Sequence, residues 1–441
     1  MAFPFPLTVN PAGHLVIGGV DALELAEQFG TPLYVVDEQV VRDRCRRYRE
    51  ALEPVGGLAV YAAKAFWTGG MAQVVRSEGL GADVSSEAEW RLAMLAGLDA
   101  SRLVLHGNNK SPAELRLAAE GGVGRIVVDS LWELDELERV AASSGARKVP
   151  VLLRLLPDIR AGAHGSIQTG HRHSKFGIPI EGGQAREAVR RCLASARLDL
   201  RGYHVHIGSQ ILSLEPYRQA ARVVAGFAIE MARQLDAPCY EVDMGGGLGV
   251  RYVAGDEPPA IEDLIEALAE TLEGAFTAAG MEMPLLIVEP GRSIIAEAGI
   301  TLYRVGAIKR LAGGEIVCAV DGGMSDNPRV ALYQARYTAV LARDPYGTPA
   351  EAVEIAGRLC ESGDVLVDKA SLPEVRPGDV VALLTTGAYH HSMASNYNGL
   401  PKPAVVTVRE GQARLWVRRE RFEDQYACDA LVQALGANRS L

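Results

Sequence analysis

The chain has 441 residues, 48% hydrophobic and 23% charged, with a net charge of -10 and an isoelectric point near 5.5. These values describe an ordinary globular protein long enough for two or three domains, and the acidity argues against nucleic acid or an anionic membrane as its main partner. No apolar run reaches spanning length, residues 1–10 carry no secretory pattern, and the six cysteines show neither Cys-x-x-Cys nor zinc spacing. The expectation is a cytoplasmic protein with free thiols, no metal and no membrane segment.

In chain order, the first forty residues read as β-rich, with strands predicted at Leu15–Ile17 and Leu33–Val36 around a short helix at Asp21–Phe29. From about residue 58 to 290 a regular beat follows. Apolar runs of strand length fall at Leu58–Ala62, Gly81–Val84, Leu103–Leu105, Arg125–Val128, Val151–Leu155, Gly202–His206, Tyr240–Asp243 and Leu285–Val288. Amphipathic segments of helical period lie between them, among them Glu87–Ala96, Pro112–Glu120, Leu131–Ser143, Pro216–Leu235 and Ile261–Ala279. Alternation of this kind predicts parallel βαβ units. Eight in series predict a closed (β/α)8 TIM-type barrel rather than an open doubly wound sheet, because no Gly-x-Gly-x-x-Gly opens the first unit.

After about residue 300 the pattern becomes short strands and turns: Thr301–Lys309, Glu315–Val320, Glu354–Leu359, Asp379–Leu384, Ala404–Arg409 and Ala413–Val417, with a helix predicted at Glu423–Leu435. The fold class expected is therefore α/β plus all-β. A barrel spans 40–297, and a discontinuous, mostly antiparallel β domain of Greek-key or sandwich type is built from 1–39 and 298–441.

A barrel carries its active site at the C-terminal ends of its strands, and the unusual polar residues fall there. The first strand ends at Lys64, where a desolvated amine would be a nucleophile. Later strands deliver Asp83, His106, Asp129, Arg154, His204 and His206, then Asp243 with Gly245-Gly246-Gly247, and Glu289-Pro290-Gly291-Arg292. Consecutive glycines after the seventh strand suit a phosphate cradle, and a carboxylate at Glu289 suits a protonated ring nitrogen. In the β domain, Cys360 has a polar, turn-rich setting unlike the other cysteines, and Gly387-Ala388-Tyr389 opens a loop.

Taken together these motifs resemble the fold-type III, pyridoxal-phosphate-dependent decarboxylases over nearly the whole chain. The residues that carry the resemblance are Tyr61-Ala-Ala-Lys64-Ala, His106-Gly-Asn-Asn-Lys110, Lys175-Phe-Gly177, His204-Val-His206-Ile-Gly-Ser209, Asp243-Met-Gly-Gly-Gly247, Glu289-Pro-Gly-Arg292, Asp321-Gly-Gly-Met324, Arg329-Val-Ala-Leu-Tyr333, Cys360-Glu-Ser-Gly-Asp364 and Gly387-Ala-Tyr389. The resemblance implies pyridoxal 5'-phosphate as cofactor, held through a Schiff base on Lys64. It implies that His206 stacks on the ring and Glu289 pairs with its nitrogen. Ser209, Gly246, Gly247, Gly291 and Arg292 would hold the phosphate region, with Tyr389 touching cofactor and substrate. Arg292, Arg329, Tyr333 and Glu361 would contact substrate, and Cys360 would return a proton to the carbanion. It also implies a homodimer with shared active sites, because the Cys360-Glu361 loop comes from the partner subunit in this family.

The reaction implied is decarboxylation of meso-2,6-diaminopimelate to L-lysine and CO2, the last step of lysine biosynthesis. That substrate carries both an ammonium and a carboxylate at its distal end, which Glu361 and Arg329 suit. The rivals are a same-fold decarboxylase for ornithine, arginine or carboxynorspermidine, an amino-acid racemase on the same barrel, and a cofactor carrier consisting of the barrel alone. The chain departs from the commoner family pattern at Ser86-Glu87-Ala88-Glu89 and at His390-His391.

Overall fold

A computed structural model describes residues 7–144, 148–159 and 174–437. Its contacts divide the chain into two compact units. One holds residues 42–250 and 257–294, and the other 1–41, 251–256 and 295–441.

The first unit is the barrel. Its strands are β1 (Leu58–Ala62), β2 (Gly81–Val84), β3 (Leu103–Leu105), β4 (Arg125–Val128), β5 (Val149–Leu156), β6 (Leu198–His204), β7 (Glu241–Asp243) and β8 (Leu285–Val288). Each pairs in parallel with the next, and β8 pairs in parallel with β1, which closes the sheet. Val60, Val104, Val127, Leu152 and Ile287 come from five of these strands and pack in one buried cluster. Side chains from β1 and β4 meet in this way only inside a closed barrel. Fully burying residues of this kind contributes about 1.5–3 kcal/mol each.

Helices between the strands start at local signals. Ser111 and Glu114 form a reciprocal capping box ahead of Pro112–Gly121. Ser86 caps Glu87–Leu95 by accepting from Glu89 N–H at 3.3 Å, and Glu89 reaches back to Ser85 N–H at 2.7 Å. The unusual Ser86–Glu89 stretch is thus a helix start.

The second unit is a mostly antiparallel sheet ordered Val365–Leu372, Glu351–Ala356, Ile316–Val320, Gly299–Arg310, Leu33–Asp37, Ala404–Arg409 and Gln412–Val417; Val380–Leu383 pairs with both Gly299–Arg310 and Ala339–Leu341. Leu33–Asp37 sits between Gly299–Arg310 and Ala404–Arg409, so the β domain is discontinuous. Its core joins Leu25 and Leu33 to Leu302, Val340, Ala382 and Val406.

Several expectations change. The sixth strand runs Leu198–His204, so His206 lies beyond it. The helix expected at Glu423–Leu435 breaks into Phe422–Gln425, which ends at Tyr426, and Ala430–Ala437, whose start Asp429 caps by accepting from Leu431 and Val432 N–H. The strand Val365–Leu372 had no clear period in the sequence, since Asp368 and Lys369 are exposed side by side.

Candidate active site

β1 ends at Ala62, and a single 3-10 turn, Ala63–Ala65, carries Lys64. Phe66 N–H closes the turn on Ala63 O at 3.1 Å, and the Tyr61 hydroxyl donates to Phe66 O at 3.0 Å. The Lys64 side chain is 46% exposed, and its Nζ lies 3.6 Å from Oδ2 of Asp83, which is 1% exposed. The desolvated lysine expected from the sequence is therefore corrected: the barrel leaves the amine half in solvent and buries its carboxylate partner. Neither oxygen of Asp83 has a hydrogen-bond partner among the described residues. A Cβ at Gly291 would lie 3.0 Å from the Ala62 side chain, and Ala62 N–H donates to Pro290 O at 3.1 Å. Barrel closure between β8 and β1 thus fixes Glu289–Gly291 beside the lysine turn.

Glu289 follows β8 and is buried. Its Oε1 lies 2.5 Å from His106 Nε2 and its Oε2 lies 3.3 Å from His204 Nε2. The two imidazoles meet edge to face, with ring centres 4.9 Å apart. Burial alone would push the Glu289 carboxyl up; His106 and His204 outweigh it and hold it well below the usual carboxylate range. Burial pushes His204 down to about 3. Asp243, in β7, is driven the other way, well above the usual carboxylate range, by burial and by the charge on Glu289.

The segment after β7 is the glycine cradle. Gly245 and Gly247 have φ of 64° and 105°, in the range that favours glycine. A Cβ at Gly246 would fall 2.1 Å from Glu289 O, and one at Gly247 2.3 Å from Gly208 O. Gly245 N–H donates to Asp243 Oδ1 at 2.9 Å and Gly246 N–H to His206 Nδ1 at 3.2 Å. Because Nδ1 of His206 accepts, the neutral ring carries its proton on Nε2. Burial, then the charge of Lys64, holds His206 well below the usual imidazole range. Arg292 donates from Nη2 and Nε to Ser209 Oγ at 2.8 and 3.3 Å. Gln210 pins the far end by exchanging bonds with Val250 at 2.7 and 3.2 Å.

A side-chain-free backbone, a hydroxyl and a guanidinium form a donor set suited to phosphate. An amine beside an orphaned buried carboxylate, and a second carboxylate kept ionised, complete the groups that pyridoxal phosphate needs. The residues fit the cofactor.

The barrel unit thus brings together Lys64, His206, Ser209, Gly246, Gly247, Glu289, Gly291 and Arg292. The remaining candidates lie in the β unit. Arg329 opens the helix Arg329–Tyr333 and is buried, while Tyr333 closes that helix half-buried. Cys360 and Glu361 are exposed on the turn between Glu351–Ala356 and Val365–Leu372. Cys360 N–H donates to Asn398 Oδ1 at 2.8 Å, and Asp364 ties the turn by accepting from Leu359 and Met324 N–H at 2.8 and 2.6 Å. Tyr389 adopts a left-handed φ of 60°, a conformation a tyrosine holds only when its surroundings impose it. The loop before it is anchored by Gly387 N–H on Ala296 O at 3.1 Å. His106 and His204 stood on the predicted rim without a role, and their grip on Glu289 supplies one. Tyr252 and Tyr337, which bond Arg329, were not marked by any motif.

The model of the pyridoxal-dependent decarboxylase pyridoxal-binding domain matches residues 38–296. A diaminopimelate decarboxylase of Bacillus subtilis (strain 168) is 43% identical over 417 residues, 94% of this chain and 95% of that protein. One from Mycobacterium tuberculosis (strain H37Rv) is 41% identical over 431 residues, 96% of each. The crystal structure of diaminopimelate decarboxylase from M. jannaschii in complex with L-lysine superposes with a TM-score of 0.91 at 33% identity, covering 97% of this chain and 98% of that one. A lysine/ornithine decarboxylase from Vibrio vulnificus shares the fold, with a TM-score of 0.74 at 24% identity and coverage of 88% of this chain and 97% of that one. With the lysine turn, the glycine cradle and the clamped glutamate in one barrel mouth, and near full-length identity above 40% to curated relatives, the chain belongs to the diaminopimelate decarboxylases of the pyridoxal-dependent decarboxylase family.

Proposed function

We propose that the chain decarboxylates meso-2,6-diaminopimelate to L-lysine and CO2 with pyridoxal 5'-phosphate, the closing step of lysine biosynthesis. The observation that carries this reading is the barrel mouth, where an amine, an anion cradle and an ionised carboxylate are set on adjoining strand ends. When bound, pyridoxal phosphate supplies an aldehyde for Schiff-base chemistry and a ring that accepts the electron pair left by CO2.

The chain's residues supply the rest. Lys64 would hold the cofactor's aldehyde through an amine that is half exposed. Ser209, Gly246, Gly247, Gly291 and Arg292 would hold the phosphate, and His206 would meet the ring without adding charge. Glu289, held well below the usual carboxylate range by His106 and His204, would favour a proton on the ring nitrogen. Cys360 would supply from its thiol the proton that replaces the lost carboxylate. Arg329 takes the distal carboxylate and Glu361 the distal ammonium, with Arg292, Tyr333 and Tyr389 bounding the substrate. The exposure of the Cys360-Glu361 turn supports a homodimer in which each turn serves the partner's barrel, spanning the division 40–297 against 1–39 and 298–441. Among the described residues no helix is long and apolar enough to cross a membrane, which accords with a cytoplasmic enzyme.

The test is incubation with pyridoxal phosphate and each of meso-diaminopimelate, ornithine, arginine and carboxynorspermidine, with lysine and CO2 detected. Turnover of diaminopimelate above the others is expected. Use of ornithine without diaminopimelate overturns the substrate, and racemised product without CO2 overturns the reaction.

A further inference from the structure

Arg329 is 4% exposed, and among the described residues no carboxylate lies within ion-pair reach of it. Its partners are two phenols: Nη1 donates to the hydroxyl oxygen of Tyr252 at 3.0 Å and to that of Tyr337 at 2.5 Å. The guanidinium also lies over both rings, 5.2 and 6.0 Å from their centres. A buried cation without a counter-ion is costly, and neutral phenols do not cancel its charge. With both Nη1 hydrogens engaged, the Nη2 and Nε hydrogens form a planar fork shaped for one carboxylate.

The phenols are built in. The two rings meet edge to face, 5.3 Å apart at 89°, and His390 packs on Tyr337 from its other side at 5.2 Å and 74°. Tyr252 sits on the segment Arg251–Asp256, which counts with the β unit although its neighbours in sequence count with the barrel. Four bonds fix that segment: Thr385 Oγ1 to Arg251 O at 2.9 Å, Thr338 Oγ1 to Tyr252 O at 3.0 Å, Arg251 N–H to Glu297 Oε1 at 3.1 Å and Tyr252 N–H to Asp256 Oδ2 at 3.0 Å. Tyr337 also lines a cavity of about 780 Å³, with Val253 and Gly363 on its wall, so one of the two phenols borders open space.

We infer that Tyr252 and Tyr337 are positioning residues that aim the Arg329 fork at the distal carboxylate, and so determine selectivity for a substrate that carries one. The inference rests on the reading of the substrate as diaminopimelate. His390, one of the chain's departures from the commoner family pattern, takes part by bracing Tyr337.

The test compares dissociation constants of L-lysine and cadaverine for the holoenzyme; the two differ only in that carboxylate. Tyr337→Phe and Tyr252→Phe are each expected to weaken lysine about tenfold and cadaverine by less than about twofold, the loss of one charge-assisted bond. Cofactor absorbance and melting temperature show that each variant is folded, and Tyr252→Phe carries the test alone if Tyr337→Phe does not fold. Equal weakening of both ligands, or of neither, overturns the inference. Arg329→Gln separates the two levels. If it abolishes the preference for lysine while the phenylalanine variants do not, the tyrosine roles fall and the substrate reading stands. If it too leaves the preference intact, the carboxylate site at Arg329 falls with them.

Discussion

The barrel mouth and the β unit treat charge in opposite ways. In the barrel several buried groups face a partner of opposite sign within the unit: Asp83 faces the half-exposed Lys64, Lys110 faces Glu133 and Arg154 faces Asp129, while Glu289 sits against His106. In the β unit Arg329 rests on phenols, and Asp326 is bonded by the Tyr303 hydroxyl and Gly323 N–H, with no cation within ion-pair reach among the described residues. A region that balances its own charges is pre-organised before any ligand arrives. Among the described residues Arg329 has no carboxylate partner, and the carboxylate of the proposed substrate would supply one.

The largest expected break in this contrast is Lys64→Ala, which should remove the absorbance of bound cofactor and lower turnover about 10⁴-fold or more. A persistent cofactor band would remove Lys64 from its role. Cys360→Ala should retain the cofactor and lower turnover about 10²–10⁴-fold; near-normal kinetics would clear the thiol of proton delivery. Mixing these two inactive variants sharpens the comparison, because their defects lie in different units. If subunits share sites, one intact site per mixed dimer restores about a quarter of wild-type activity, and no recovery argues for sites made within one chain.

Next in size is the barrel's internal balance. Lys110 Nζ donates to Glu133 Oε1 at 2.6 Å, to Val127 O at 2.6 Å and to Gly107 O at 2.8 Å, and both side chains are buried. Lys110→Met should cost about 3–5 kcal/mol in denaturant unfolding by stranding Glu133, and adding Glu133→Leu should recover most of it. A double variant no more stable than the single would show that the charges are not balanced as a pair.

The smallest effect concerns Asp326. Burial pushes its carboxyl up to about 7. A carboxyl raised in the folded state stabilises fully below its unfolded value, and that contribution is lost as pH rises through about 7. The melting temperature of wild type relative to Asp326→Asn should therefore fall steadily from about pH 4 to about pH 7. A constant difference across that window would show that Asp326 does not titrate there.

The barrel was legible because its signal is local and repeated. Leu58–Ala62, Gly81–Val84, Leu103–Leu105, Arg125–Val128 and Leu285–Val288 are bounded by helix starts and turns that act within a few residues. Strand order then fixes which ends share a mouth, so Lys64, His206, the glycines and Glu289 could be placed on one rim without coordinates. The β unit was harder. Val365–Leu372 shows little alternation, and its place depends on partners distant in sequence.

The sequence by itself determined the alternating elements, the chemistry-bearing side chains and the motifs that mark the family, because these depend on residue type and short spacing. Only the tertiary structure decided that Lys64 stays half exposed while Asp83 is buried, that His106 and His204 clamp Glu289, and that Tyr252 reaches Arg329 and Tyr337. Burial and charge pairing are properties of surroundings assembled from remote segments: Tyr252 and Arg329 stand 77 residues apart, and no pattern along the chain records that they meet.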